Sequence, residues 1–203
     1  MSHRPNTADS AGQPWAGRSF EPNAFASDDG SAPEELASAI RAFRDGSAGP
    51  EGVVEAFRSA RLLIPLLAAA GDVGETAEGL VVDKTQELSI LTVTAPAGRR
   101  VLPVFSSDTA MSPWRPDARP VPADGVRVAR AAAGDSTDLV VLDPTSDTEF
   151  GFRRPMVWAV AQGHEWSAPW LDDRVRSAVA ASVAPEDSVA AFELVPGDPH
   201  SRL

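Results

Sequence analysis

The stretch that decides the fold is residues 99–122, RRVLPVFSSDTAMSPWRPDARPVP. Within it, Arg100–Ser106 (RVLPVFS) is short, apolar and bounded by turn residues, so it reads as a strand. Leu88–Thr94 (LSILTVT) precedes it across Ala95-Pro96-Ala97-Gly98, and the pair forms a central antiparallel hairpin. Pro103 removes a ladder donor, which gives that strand an irregular or edge place. Ser107 or Asp108 then caps a short helix over residues 107–113. Trp114-Arg115-Pro116 ends it, because the residue before a proline avoids the helical region, and Pro120 and Pro122 keep the next piece extended.

Upstream, RLLIPLLA from Arg61 reads as a buried strand whose Pro65 sets it at an edge or a bulge. Two helices come before it. Ser31 with Glu34 makes a capping box for the first, which buries Leu36, Ala39, Ile40 and Phe43 and stops at Asp45-Gly46. The second opens at Pro50 and buries Val53, Val54 and Phe57. Downstream, Asp124 caps a helix through Ala133 that Gly134 stops, Asp138–Asp143 (DLVVLD) is a short buried strand, and Thr148–Phe152 returns as another. Pro155 opens a helix carrying Met156, Val157, Ala159 and Val160 that ends at Gly163. After a loop with Trp166 and Trp170, Leu171, Val175, Val179 and Val183 recur every four residues as a last amphipathic helix, and Ser188–Val195 reads as a closing strand. Helices and strands mix without regular alternation. The expected class is α+β, with a mixed sheet of five or six strands built on the central antiparallel hairpin and packed by helices. Residues 1–13 read as a disordered tail, 14–30 as an extended arm with Trp15, Phe20 and Phe25 as anchors, and 166–203 as a C-terminal helix–strand extension.

The 203 residues carry a net charge of −11, which argues against a general nucleic-acid or anionic-membrane binder because the mean field repels phosphate. Against that background, residues 99–130 hold six arginines (Arg99, Arg100, Arg115, Arg119, Arg127, Arg130) and three acids (Asp108, Asp117, Asp124), a local charge of +3. Trp114 stands beside Arg115, a pairing that permits cation–π stacking and is enriched at binding hot spots. Ser106, Ser107, Trp114, Arg115 and Arg119 are therefore the candidate binding residues, for an acidic protein surface, a small anionic ligand or a second copy of the chain. Docking of the arm on a neighbour is a third arrangement.

Catalytic and metal chemistry have thinner support. The absence of Cys removes disulfides, thiolate nucleophiles and cysteine–zinc sites, and fits a reducing cytoplasm. No secretory leader and no apolar run near 20 residues is legible, so the expected location is cytoplasmic, with no membrane contact. Phosphate-loop and dinucleotide glycine patterns are missing. Asp28-Asp29-Gly30 lacks the ligand ladder of a calcium loop, and Asp138, Asp143, Asp147 and Glu149 read as solvated acids beside a strand and turn. No metal and no cofactor is expected. The one enzymatic alternative is a weak-signature hydrolase or transferase using Ser107 and Asp143 at strand ends, with His164 or the lone lysine, Lys84, in support. The balance lies against catalysis.

Several segments also carry a resemblance. Gly98-Arg99-Arg100-Val101-Leu102-Pro103-Val104-Phe105-Ser106-Ser107, the run from Trp114 to Pro122, DLVVLDP (Asp138 to Pro144) and Arg154-Pro155 to Gly163 resemble the SseB-type N-terminal domain family. The arm Gly17-Arg18 through Asp28-Asp29-Gly30 resembles its actinobacterial members. The likeness covers roughly residues 15–165 and places an SseB-like α+β domain at 31–165. It implies a bacterial protein that works by binding or regulation, and it supplies no catalytic residues.

Overall fold

The computed structural model describes residues 25, 27–68, 73–75, 81–83, 88–90, 92–94, 98–134, 137–198 and 201. The readings of residues 1–13, Trp15, Phe20, Lys84 and the turn at 95–97 lie outside them. In chain order the elements are α1 (Glu34–Arg44), α2 (Pro50–Ser59), β1 (Arg61–Ala68), β2 (Val73–Glu75), β3 (Val81–Asp83), β4 (Leu88–Ile90), β5 (Val93–Thr94), β6 (Arg100–Val104), α3 (Asp108–Trp114), β7 (Arg119–Asp124), α4 (Gly125–Gly134), β8 (Leu139–Leu142), β9 (Phe150–Arg153), α5 (Arg154–Gln162) and α6 (Asp173–Val183). The class is α+β, and the central antiparallel hairpin is present as β5 on β6, with Val93 opposite Val101.

The single sheet of five or six strands is not what forms. The strands divide into ladders β4-β1-β7, β2-β3 and β5-β6-β8-β9. One antiparallel bridge, Leu63↔Phe105, links the first and last ladders, with both backbone bonds made (2.8 and 2.9 Å). In an antiparallel pair such hydrogen-bonded positions recur at every second residue. The next after Leu63–Phe105 is Pro65 opposite Pro103, and neither residue has an N–H to give. The ladder stops at this proline seam, and β4 and β5 take up the edges that β1 and β6 leave open beyond it. The same alternation explains how β1 tolerates Pro65 away from a sheet edge, between β4 and β7. Pro65 lies opposite Pro120, and Leu63 opposite Pro122, at positions where β1 and β7 exchange no bonds, so none of these prolines costs the β1–β7 ladder a donor.

β6 and β8 run parallel, joined by a crossover that contains α3, β7 and α4. Alternate residues of the strands face one large core. Leu62, Ile64, Leu102, Val104, Val140, Leu142, Phe150 and Phe152 meet Leu36, Ile40, Val53, Val54 and Phe57 of the first two helices and the apolar faces of α4 and α5. Phe57 lies on Phe152 with ring centres 4.1 Å apart, and Phe152 contacts Phe150 at 4.7 Å. On the sheet's other face Met111 of α3 packs on Leu63 and Phe105.

Helix ends follow their local chemistry in part. Asp124 caps α4 by accepting from the Arg127 N–H (2.8 Å), and Gly163 at φ 73° ends α5. Ser31 does not cap α1. Its N–H and hydroxyl both bond Asp29, and α1 starts after Pro33 with no side-chain cap. The closing strand expected at Ser188–Val195 is likewise not formed, because residues 189–196 carry no assigned element. α6 does form, but it buries none of its residues.

Candidate functional site

β6 and β8 end side by side, and the chain leaves each of them through a polar residue. Phe105 and Ser106 follow β6, and Asp143 follows β8. Carboxyl ends of adjacent parallel strands are where α/β sheets gather functional groups. Here Asp143 is fully buried (0 % exposed). Its own N–H bonds the Val104 carbonyl (2.8 Å), extending the ladder by one step. Its Oδ1 accepts from the Ser106 N–H (2.7 Å), and its Oδ2 accepts from the hydroxyls of Ser106 (2.6 Å) and Thr148 (2.7 Å). Burial pushes the Asp143 carboxyl above the ordinary aspartate range, and the bonds from Ser106 and Thr148 partly offset it. The loop after it is held in left-handed conformations at Asp143 (φ 45°) and Thr145 (φ 70°). Ser146 bonds the Asp143 carbonyl, and Glu149 accepts from the Thr145 N–H, which fixes that backbone.

The β6 side of this clasp is roofed by the chain before α1. Arg61 pairs through Nε with Asp28 (2.9 Å), both side chains being largely buried. Its Nη1 donates to the Ser106 carbonyl (3.0 Å) and its Nη2 to that of Ser31. The Asp108 N–H bonds the Gly30 carbonyl (3.1 Å), and Gly30 takes φ 77°, open to glycine at little cost. The part of the arm that is described is thus pinned by an ion pair and backbone bonds. Asp28→Ala and Arg61→Met are each expected to cost about 1–3 kcal/mol, because each strands a charged partner. Hydrogen–deuterium exchange is expected to rise selectively at residues 28–31 and 106–108.

The other expected site residues fall as follows. Ser106 and Ser107 are 7 % and 6 % exposed, so they are not an open surface. Ser107 caps α3, accepting from the Ala110 N–H (3.2 Å), and bonds Thr109. Asp143 therefore pairs with Ser106, not with Ser107 as the catalytic alternative required. His164 lies at the end of α5, its carbonyl held by Arg58 of α2. Asp138 and Asp143 sit at opposite ends of β8, which separates the acids that are neighbours in sequence. Trp114 is half-buried, its ring 5.2 Å from Phe105. Arg115 turns to Asp117 (2.8 Å) instead of stacking on Trp114. Arg119, at the start of β7, is exposed. The six arginines of the basic window fall on different elements: Arg99 precedes β6 and Arg100 opens it, Arg115 follows α3, Arg119 opens β7, and Arg127 and Arg130 lie on α4.

Sequence reasoning paired Ser107 with Asp143, and it missed the direct Ser106–Asp143 bonds, Thr148 and the Arg61–Asp28 pair. A polar residue ending each of two apolar runs, LPVF and LVVL, was the available signal. Among the described residues, no group of three or more His, Asp or Glu side chains is arranged to hold a metal ion, and no helix is long and apolar enough to cross a membrane.

Comparison with curated proteins found no match, and comparison with solved structures found none. A family model, the SseB protein N-terminal domain, matches residues 36–159. The match runs from α1 into α5 and takes in the proline seam, the Asp143 clasp and the α3–β7 segment. The chain belongs to the SseB N-terminal domain family.

Proposed function

We propose that the chain is a non-enzymatic interaction or regulatory domain of the cytoplasm, binding an acidic protein surface or a small anionic ligand at Trp114, Arg115 and Arg119. The observation that carries this reading is the placement of Trp114. Its inner side rests on Phe105, which fixes the ring, while part of it stays at the surface, next in sequence to the exposed Arg115 and one short turn before the exposed Arg119. A ring held in place loses little freedom on binding. The Arg115–Asp117 pair does not block the face, since its side chains are 46 % and 64 % exposed and such pairs are weak and screened by salt. A carboxylate from a partner can replace Asp117. Ser106 and Ser107 act as positioning residues in this reading. They join the end of β6 to Asp143 and cap the helix whose last residue is Trp114.

The test uses a fluorescent poly-glutamate peptide and anisotropy. The Arg115→Glu/Arg119→Glu double variant is expected to weaken binding at least about tenfold, because like charges across an interface repel. Trp114→Ala is expected to weaken it with little change in salt dependence. Equal binding by all three chains, with unchanged recovery of partners in affinity purification, overturns the reading.

A further inference from the structure

The β7 and β9 edges are closed by different means. On β7, Pro120 and Pro122 turn outward the side of the backbone that would otherwise offer donors, so that edge cannot template a strand. On β9 the outward donor of Gly151 is intact, and the chain's own C-terminal segment takes it. The Ser201 carbonyl accepts from the Gly151 N–H (2.6 Å), and Asp198 pairs with Arg153 (2.7 Å). We propose that the β9 edge is a docking groove for an extended peptide carrying one carboxylate, closed in cis by Pro196, Gly197, Asp198 and Ser201 acting as a displaceable plug.

Four observations support displacement. The plug fills its groove poorly. A cavity of about 370 Å³ remains beside it against Arg153, Met156 and Trp170, and one of about 250 Å³ remains against Phe43, Pro50 and Trp170. Pro196, Gly197 and Ser201 are too small to occupy that space, which a peptide with larger side chains would fill. Ser201 holds a left-handed conformation (φ 46°), a strain that is relieved on release. The segment leading to the plug has little holding it, since α6 buries no residue and Leu171, Val189, Phe192 and Val195 are exposed. Lastly, Gly151 lets another backbone come close. A Cβ there would stand 3.3 Å from the Ser201 carbonyl oxygen, tighter than ordinary contact.

The plug also defines the chemistry of what replaces it: a backbone carbonyl for Gly151, and, three residues earlier, a carboxylate for Arg153. This is strand-edge recognition with one charge for register. The site is separate from Trp114, Arg115 and Arg119, so its test does not depend on them.

The probe is a labelled peptide of residues 195–203, VPGDPHSRL, added to the 203-residue chain and followed by anisotropy. A tethered plug competes at an effective concentration near millimolar, so the wild-type chain is expected to bind the peptide weakly, and Asp198→Arg, which repels its own plug, at least about tenfold more tightly. Adding Arg153→Glu to that variant is expected to abolish binding, and a peptide with Arg in place of its Asp is expected to bind the Arg153→Glu chain instead. Asp198→Asn provides a milder release with the same order of affinities. Equal peptide binding by the wild-type and Asp198→Arg chains overturns the proposal. So does faster exchange of the Gly151 amide in Asp198→Arg without peptide binding. Dimers of Asp198→Arg in light scattering that the peptide does not dissociate also overturn it, in favour of tails exchanged between copies.

Discussion

Gly125→Ala is expected to prevent stable folding, or to cost stability at or beyond the upper end of the ~1–3 kcal/mol range for overpacking. Gly125 is the first residue of α4 and packs directly on the end of α2, its N–H bonded to the Ala60 carbonyl (3.1 Å). A Cβ at this position would stand 1.8 Å from the Phe57 carbonyl oxygen and 2.8 Å from its carbon, with the Arg58 oxygen at 3.1 Å. All three atoms are backbone, so no change of rotamer relieves the overlap. Relief requires α4 to back away from α2, and that opens the core where Phe57, Val128 and Phe152 meet. Gly52→Ala is the control. Gly52 is an exposed position within α2 with nothing near the added methyl, and alanine there is expected to stabilise by about 0.5–1 kcal/mol through helix propensity. Thermal or urea unfolding of the two variants separates a steric requirement at one glycine from a general intolerance of substitution.

Gly125 also marks the limit of what a sequence read one segment at a time can yield. Periodicity sufficed for α1 and, with end signals, for α2, α4, α5 and for the strands around β6 and β8, because a buried helix face or strand shows in composition. Pro65 and Pro103 each registered as a local irregularity. Their joint effect, a sheet split at one seam, depends on β1 and β6 pairing in the register set by Leu63 and Phe105, which no local pattern states. The candidate site failed in the same way. Ser106 and Ser107 are neighbours that point to different partners, since consecutive strand-end residues face opposite ways, and choosing Ser107 for Asp143 is an error of one residue. The basic window looked like a patch because its arginines are close in sequence, yet the chain carries them along β6, α3, β7 and α4. Asp28 with Arg61 and Gly151 with Ser201 join distant parts of the chain, and such contacts leave no mark in spacing.

Asp143→Ala is expected to lower stability by about 2–4 kcal/mol, since it leaves the Ser106 N–H and the hydroxyls of Ser106 and Thr148 without their acceptor in a buried site. For a chain of this size that corresponds to a fall of about 5–15 °C in melting temperature. Alanine also takes the left-handed backbone at this position less readily than aspartate or asparagine. Asp143→Asn is expected to lose much less, because the two hydroxyls can rotate to accept from the new amide while its oxygen keeps the Ser106 N–H. The pair of variants also separates charge from hydrogen bonding through pH. The folded-state pKa of Asp143 is raised, so the folded protein binds that proton more tightly than the unfolded chain does. The group's contribution is therefore fully present below the ordinary aspartate pKa and declines as pH rises towards the raised value, above which it stays constant. Relative to Asp143→Asn, the wild-type chain should gain stability as pH is lowered through this window, in urea melts run at closely spaced pH values. A difference that runs the other way would mean that the carboxylate is stabilised as an anion and that its three donors outweigh its burial. The two variants bear on function as well, because Ser106 and Ser107 connect this clasp to the helix carrying Trp114. Poly-glutamate binding at 20 °C is expected to survive in Asp143→Asn and to weaken in Asp143→Ala, in proportion to the loosening of α3 seen by hydrogen exchange.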